Sequence, residues 1–324
     1  KRCSITLPKG LVGEIATLKR EKWDPQVRAR DAASRRSKGE QYEALRRDLE
    51  SVLSWLGQAT YEDVQRASAE VVEHGAQFNV SASIAHEAGL IARGRRSDIA
   101  VGLKHAAAWY RLLAVSGARG VSLLRLQMRD LRAVGAAEAT PNSGGPGAVI
   151  WTRTEYKCGA KAGVAREHQI VLAPHSDASK CVLLALASYY RAAREHELNA
   201  SSNAAKFAIL DEAGSVVAQC KGPYVEALRA KGHELLFSYL VYRRAGQTEE
   251  SYSALMHRRV LAYATMASFA VGAPELFTGA RRLHALRAYA CNELLAQGLA
   301  ESTVQEYIGW AGRERTVMGR SYAV

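Results

Sequence analysis

The sequence predicts a mainly α protein with one small β-hairpin or sheet, and three observations lead there. Apolar residues recur at the 3.6-residue period of a helix along most of the 324 residues. One turn-rich run, Thr140-Pro-Asn-Ser-Gly-Gly-Pro-Gly147, breaks that period near the middle of the chain. Just beyond it, 148–156 and 169–172 are short stretches rich in β-branched and aromatic residues, as strands are. A hydrophobic content of 48% is enough to bury a large core, and the length suits one large domain with a smaller one.

Taken in chain order, the periodicity predicts helices near 41–56, 61–74, 96–115, 177–194, 223–243, 250–270, 281–297 and 301–308. The basic run 28–38 resembles a flexible arm or linker, with even odds of touching a polyanion. A second strand pair is expected where 206–210 faces 215–218 across an Asp-Glu-Ala-Gly turn. It lies within a stretch near 195–235 that looks inserted. The organisation expected is a small helical segment over 1–60 followed by one domain over 61–324.

Charge narrows the class of partner. Lys and Arg number 44 against 32 Asp and Glu, a formal +12, and such an excess favours a polyanion through phosphate neutralisation and counterion release. Nucleic acid leads and an anionic membrane surface trails. No apolar run of about 18 residues is present and the first residues lack a secretory pattern, so an intracellular, DNA-associated protein without membrane contact is expected. The five cysteines are scattered, with no Cys-x-x-Cys pair and no histidine at metal spacing, so reduced thiols and no zinc are expected.

The chemistry-bearing residues gather late in the chain. On a helix over 281–297, Leu283, Leu286, Ala290 and Leu294 form an apolar stripe, and His284 and Arg287 lie side by side at its edge. After a Gln297-Gly298 break, a short helix leads to Gly309-Trp310, whose indole donates a hydrogen bond, and a polar run then carries Tyr322. A phenol with its usual pKa near 10 needs cations around it to attack a phosphodiester at neutral pH. Arg119 offers a second guanidinium at a corner between helices, where a glycine C-cap, Gly117, is followed by a new apolar turn. Lys157, at the end of the first hairpin strand, or Lys161, in its loop, is placed to protonate a leaving-group oxygen. Each residue alone has an ordinary explanation: a surface pair for His284 and Arg287, a cap for Arg119, packing for Trp310 and Tyr322. Their joint occurrence in this order favours the catalytic one.

In these residues the sequence resembles the tyrosine recombinases, the family of phage integrases, Xer proteins and Cre. SGARGVSLLRLQMRDL resembles its first-arginine box, HALR its His-x-x-Arg box, and IGWAGRERTVMGRSY the box that ends in the nucleophile. Trp310 stands 26 positions after His284, the family's spacing, with Trp rather than His as in Cre. The resemblance implies a recombinase catalytic domain behind an N-terminal DNA-clamping segment. It implies that Arg119 and Arg287 clamp the scissile phosphate, that His284 assists proton transfer, that Trp310 binds a phosphate oxygen and that Tyr322 forms a 3′-phosphotyrosine. Lys157, with Lys161 as runner-up, would be the general acid. It further implies a homotetramer on two DNA sites, a Holliday junction, DNA integration or another recombination outcome, and no cofactor. Telomere resolvases share the chemistry, and a non-catalytic DNA-binding protein on the same scaffold is the reading from another class. The chain departs from the family pattern at Ser122, where an acidic residue is common, and in placing Tyr322 twelve positions after Trp310.

Overall fold

The computed structural model describes residues 25–139, 145, 147–155, 166–199, 205–217, 222–241, 252–278 and 284–308. The chain divides into two compact units, Lys1–Leu45 with Val324, and Arg46–Ala323. The described part of the first unit is entirely helical, the opening of α1 (Pro25–Gln58). Proline suits the first turn of a helix, where its missing N–H would have no partner.

The second unit begins with the rest of α1, which buries Leu49, Val52, Leu53 and Leu56 at helical spacing. Thr60 then caps α2 (Tyr61–His74): its hydroxyl accepts from the Asp63 backbone while the Asp63 carboxylate accepts from the Thr60 N–H at 2.8 Å. A short 3₁₀ turn, Gly75–Phe78, leads to α3 (Ala82–Ala92), and a bend leads on to α4 (Arg96–Ser116). Helix α4 is buried over nearly its whole surface and forms the axis of the unit. At Gly102 it comes so close to α8 (Tyr252–Ala270) that a Cβ would overlap the Tyr263 side chain. The fully buried Glu87 of α3 accepts from Arg259 of α8 at 3.1 Å, so the charge enters the core paired.

After α4 come the single-turn α5 (Gly120–Leu124) and β1 (Leu131–Ala133), β2 (Val149–Glu155) and β3 (Arg166–Leu172). These form an antiparallel sheet in the order β1-β2-β3, with Trp151 opposite Ile170 and Arg153 opposite His168. Helix α6 (Val182–Asn199) returns along α4, and β4 (Ala205–Ile209), α7 (Pro223–Ala230) and β5 (Glu234–Val241) follow. Helices α9 (His284–Ala296) and α10 (Glu301–Ile308) complete the described chain. The mainly α class with a small antiparallel sheet is as expected, and the hairpin over 148–172 forms where the turn chemistry placed it. Among the described residues no helix is long and apolar enough to cross a membrane.

Four local expectations are corrected. The run 28–38 is helical, because Arg, Ala, Ser and Lys continue α1 without a breaker. Helix α3 was not anticipated from the sequence. The helix expected over 223–243 is instead α7 and then β5, divided at Gly232, whose φ of +76° ends a helix readily. Leu235, Leu236, Phe237, Ser238 and Tyr239 are all buried, and an apolar run without faces carries no period to tell strand from helix. Finally, β4 pairs with β5, whereas 215–217 contributes a single bridge, Leu210 to Val216, beyond the expected Asp211–Gly214 turn. The stretch that looked inserted is therefore tied into the unit: the Leu236 N–H donates to Leu126 O at 2.8 Å and the Arg129 N–H to Gly232 O at 3.2 Å.

Candidate functional site

The site is assembled around one backbone group, the carbonyl of Ile308 at the end of α10. The Gln297-Gly298 break forms as the sequence suggested, with Gly298 at φ +86° and its N–H bonded to Leu295 O at 2.9 Å. This turn folds α10 back on α9, so that Cys291, Val304 and Ile308 close a small core with Leu294, Leu299 and Tyr307 around them. Helix α10 then ends just before Gly309-Trp310.

Three arginine-bearing elements meet there. Arg287, on α9 and only 6% exposed, donates from its terminal nitrogen to Ile308 O at 3.0 Å. Arg153, on β2 and 2% exposed, donates to the same oxygen at 3.3 Å. The third element is the turn that carries Arg119. Gly117 caps α4 in the left-handed region at φ +57°, with its N–H on Leu113 O at 2.9 Å. Ser116 steadies the turn by donating to Leu112 O at 2.5 Å and accepting from the Ala118 N–H at 3.2 Å. Gly117 faces α9 and α10 directly: a Cβ on it would lie 3.1 Å from Ile308 Cγ1 and 3.4 Å from Ala290 Cβ. Two residues later the half-buried Arg119, in extended conformation, precedes α5, and its carbonyl takes the Ser122 N–H at 2.9 Å. Arg119 is the N-cap of α5, and Ser122 lies inside the helix.

Two buried cationic side chains share this helix end. The last carbonyls of a helix carry its negative pole, and two guanidiniums on Ile308 satisfy that pole while gathering positive charge beside it. Tyr307 lies in the same turn, and burial pushes its hydroxyl up to about 12, with Arg153 pulling the other way. Burial likewise raises the Cys291 thiol to about 11, reinforced by Glu301 and opposed by Arg287, so this cysteine is a packing residue. Cys181 and Cys291 are both free and buried.

The structure thus brings the Arg119 turn, Arg287 and the exit of α10 toward Trp310 into one place. His284 opens α9, one turn before Arg287, and only its backbone falls within the described residues. Lys157, Lys161, Trp310 and Tyr322 lie outside the described residues. A groove of about 780 Å³ between α1, α4 and α9 is lined by Tyr289, Arg111 and Lys180 and not by Arg119, Arg153 or Arg287. The residue that sequence reasoning missed is Arg153. Its signal was the strand period: positions 151 and 153 share a face, so an inward Trp151 carries Arg153 inward with it. No family model, no curated protein and no solved structure matches the chain.

Proposed function

We propose that this protein cleaves and rejoins DNA strands through a 3′-phosphotyrosine, as a site-specific recombinase of the tyrosine type. One observation carries the reading: the Arg119 turn, the Arg287 guanidinium and the helix end that leads to Trp310 converge on Ile308, although they come from widely separated parts of the sequence.

A phosphodiester has two non-bridging oxygens, and attack by a phenol adds charge to both as the phosphorus becomes five-coordinate. Arg119 and Arg287, approaching from different elements, hold those oxygens, and the Trp310 indole donates to one of them. The Tyr322 oxygen bonds to phosphorus while the bond to the 5′-oxygen breaks. His284 assists removal of the phenol proton, and Lys157 or Lys161 protonates the departing 5′-hydroxyl. A second 5′-hydroxyl reverses the step, so the energy of the phosphodiester is kept and no nucleotide hydrolysis is needed. The excess of 44 basic over 32 acidic residues supplies the general attraction for DNA, and a homotetramer on paired duplex sites is the assembly that strand exchange requires.

The test is a trap. The protein is mixed with randomised duplexes nicked near the centre, so that cleavage releases a short fragment and strands the covalent adduct. Denaturant-resistant adducts with the intact chain and none with Tyr322→Phe are expected, and sequencing the captured DNA gives the target site. Binding without adducts would leave a DNA-binding protein on a non-catalytic scaffold.

A further inference from the structure

We propose that Arg153 is a positioning residue of this site: its guanidinium ties hairpin strand β2 to the last carbonyl of α10, and so fixes the end of that helix, after which the sequence runs on to Gly309-Trp310. Its consequence for cleavage rests on the strand-transfer reading above, whereas its structural content does not.

Arg153 is a costly residue for a strand interior. Taking a guanidinium out of water is expensive unless its hydrogen bonds are remade, and a Leu or Met at the same position would fill the core without that cost. Its surroundings show what the charge is used for. The guanidinium lies near the Trp151 ring, 6.0 Å from its centroid, a contact that holds it on the inner face of β2. From there it reaches Ile308 O, the acceptor that Arg287 also uses. Both terminal nitrogens lie within 3.3 Å of one oxygen, so the two elements are pinned to the same point.

That point is the exit of α10. The residues to be aimed, Gly309 and Trp310, follow Ile308 directly, and Lys157 follows Arg153 by four positions along the other element. A bond from Arg153 to Ile308 therefore relates the strand that leads to the general acid to the helix that leads to the indole donor and, beyond it, to the nucleophile. Arg287 relates the same carbonyl to α9. A guanidinium suits this role better than an ammonium, because its planar fork fixes direction as well as distance. Tyr307 faces the same group, and the Arg153 charge acts on its hydroxyl.

The test uses the full chain and the variants Arg153→Met, Arg153→Lys and Arg153→Ala. Hydrogen exchange of the amides over 303–308 is followed without DNA, beside the affinity for the captured site and the adduct rate at saturating DNA. In Arg153→Met, exchange over 303–308 is expected to quicken by about tenfold while that of α4 stays put, since the end of α10 alone loses its tie. Adduct formation is expected to fall by about a hundredfold, the cost of a small misplacement, with affinity within about twofold. Added guanidinium ion should restore part of the rate to Arg153→Ala and nothing to Arg153→Lys. Unchanged exchange over 303–308 in a folded Arg153→Met overturns the tie, and equal losses of affinity and rate overturn the positioning role. Should Arg153→Met fail to fold, Arg153→Lys keeps the charge without the fork and decides the same comparison. If the unmodified chain forms no adducts, the strand-transfer reading fails, while the exchange result still decides the tie.

Discussion

Gly117 and Ile308 are in direct contact: a single methyl group on the glycine would stand 3.1 Å from Cγ1 of the isoleucine. Through this contact the turn that presents Arg119 is seated on the end of α10, and the two halves of the candidate site share one packing surface.

Gly117→Ala should therefore be felt twice. An L-residue at φ +57° costs roughly 1–2 kcal/mol on its own account, and the new methyl pushes Ile308 or the turn aside. The expected outcome is a lower urea midpoint with an unchanged slope, together with a larger loss of cleavage than of DNA affinity. A midpoint equal to that of the unmodified chain would show that the turn has slack.

His105 makes stability depend on acid. It is 5% exposed and packs against the Tyr189 ring at 4.9 Å and the Phe237 ring at 5.2 Å. Burial lowers its pKa to about 3, with help from Arg259. A depressed folded-state value means that the unfolded chain takes up the proton first as pH falls below the ordinary histidine value of 6.5. The stabilisation is whole above pH 6.5 and is lost toward pH 3, at no more than about 1.4 kcal/mol per pH unit for one group. His105→Phe keeps an aromatic ring and should flatten this part of the stability curve. Curves that stay parallel from pH 7 to 4 would rule His105 out as the source.

Arg119 offers a test that separates the proposed catalysis from folding. Its side chain makes no capping hydrogen bond to α5, and it is half exposed. Arg119→Ala should leave the unfolding free energy within about 1 kcal/mol. The adduct rate should drop by about 10²–10³, as expected when a charge-stabilising donor is removed, while affinity for long duplex changes little among so many phosphate contacts. Loss of rate and affinity in equal measure would make Arg119 a binding residue only.

Under the strand-transfer proposal, Tyr307 is a second phenol near the site against which the role proposed for Tyr322 can be tested. Its hydroxyl, pushed to about 12 by burial, is the poorer candidate at neutral pH. Tyr307→Phe is expected to keep forming adducts where Tyr322→Phe forms none. The reverse pattern, read on a denaturing gel, would move the nucleophile onto α10. The raised value also predicts a stability that is whole below pH 10 and declines as pH climbs toward 12, because the unfolded chain ionises first.

How much was visible before folding depended on the range of the forces involved. The capping box at Thr60 and Asp63, the glycine stop at Gly117, the break at Gly298 and the turn ahead of β2 are local, and each stands in the sequence as residue types at fixed offsets. The His284-to-Arg287 spacing was equally plain, since neighbours on a helix face follow from its period. Helix α3 was passed over because Ala and Gly blur its apolar stripe, in which Glu87 is buried only through its pairing with Arg259.

The remainder depended on contacts between distant parts of the chain. Strand β4 had a nearby partner in 215–217 and took β5 instead, because a longer ladder on an apolar strand outcompetes a short one, whichever lies nearer in sequence. Arg153 reads as one more polar residue in a hairpin until Ile308 is folded against it. Residue types and their offsets were enough to foresee several of the helices, among them 61–74, 96–116 and 301–308, and the glycine stops at Gly117 and Gly298. That Arg153 and Arg287 meet at the Ile308 carbonyl, and that the Gly117 turn packs on the side chain of the same residue, was settled by packing, since burial rewards whichever surfaces fit together and leaves no local mark in the sequence that says which they are.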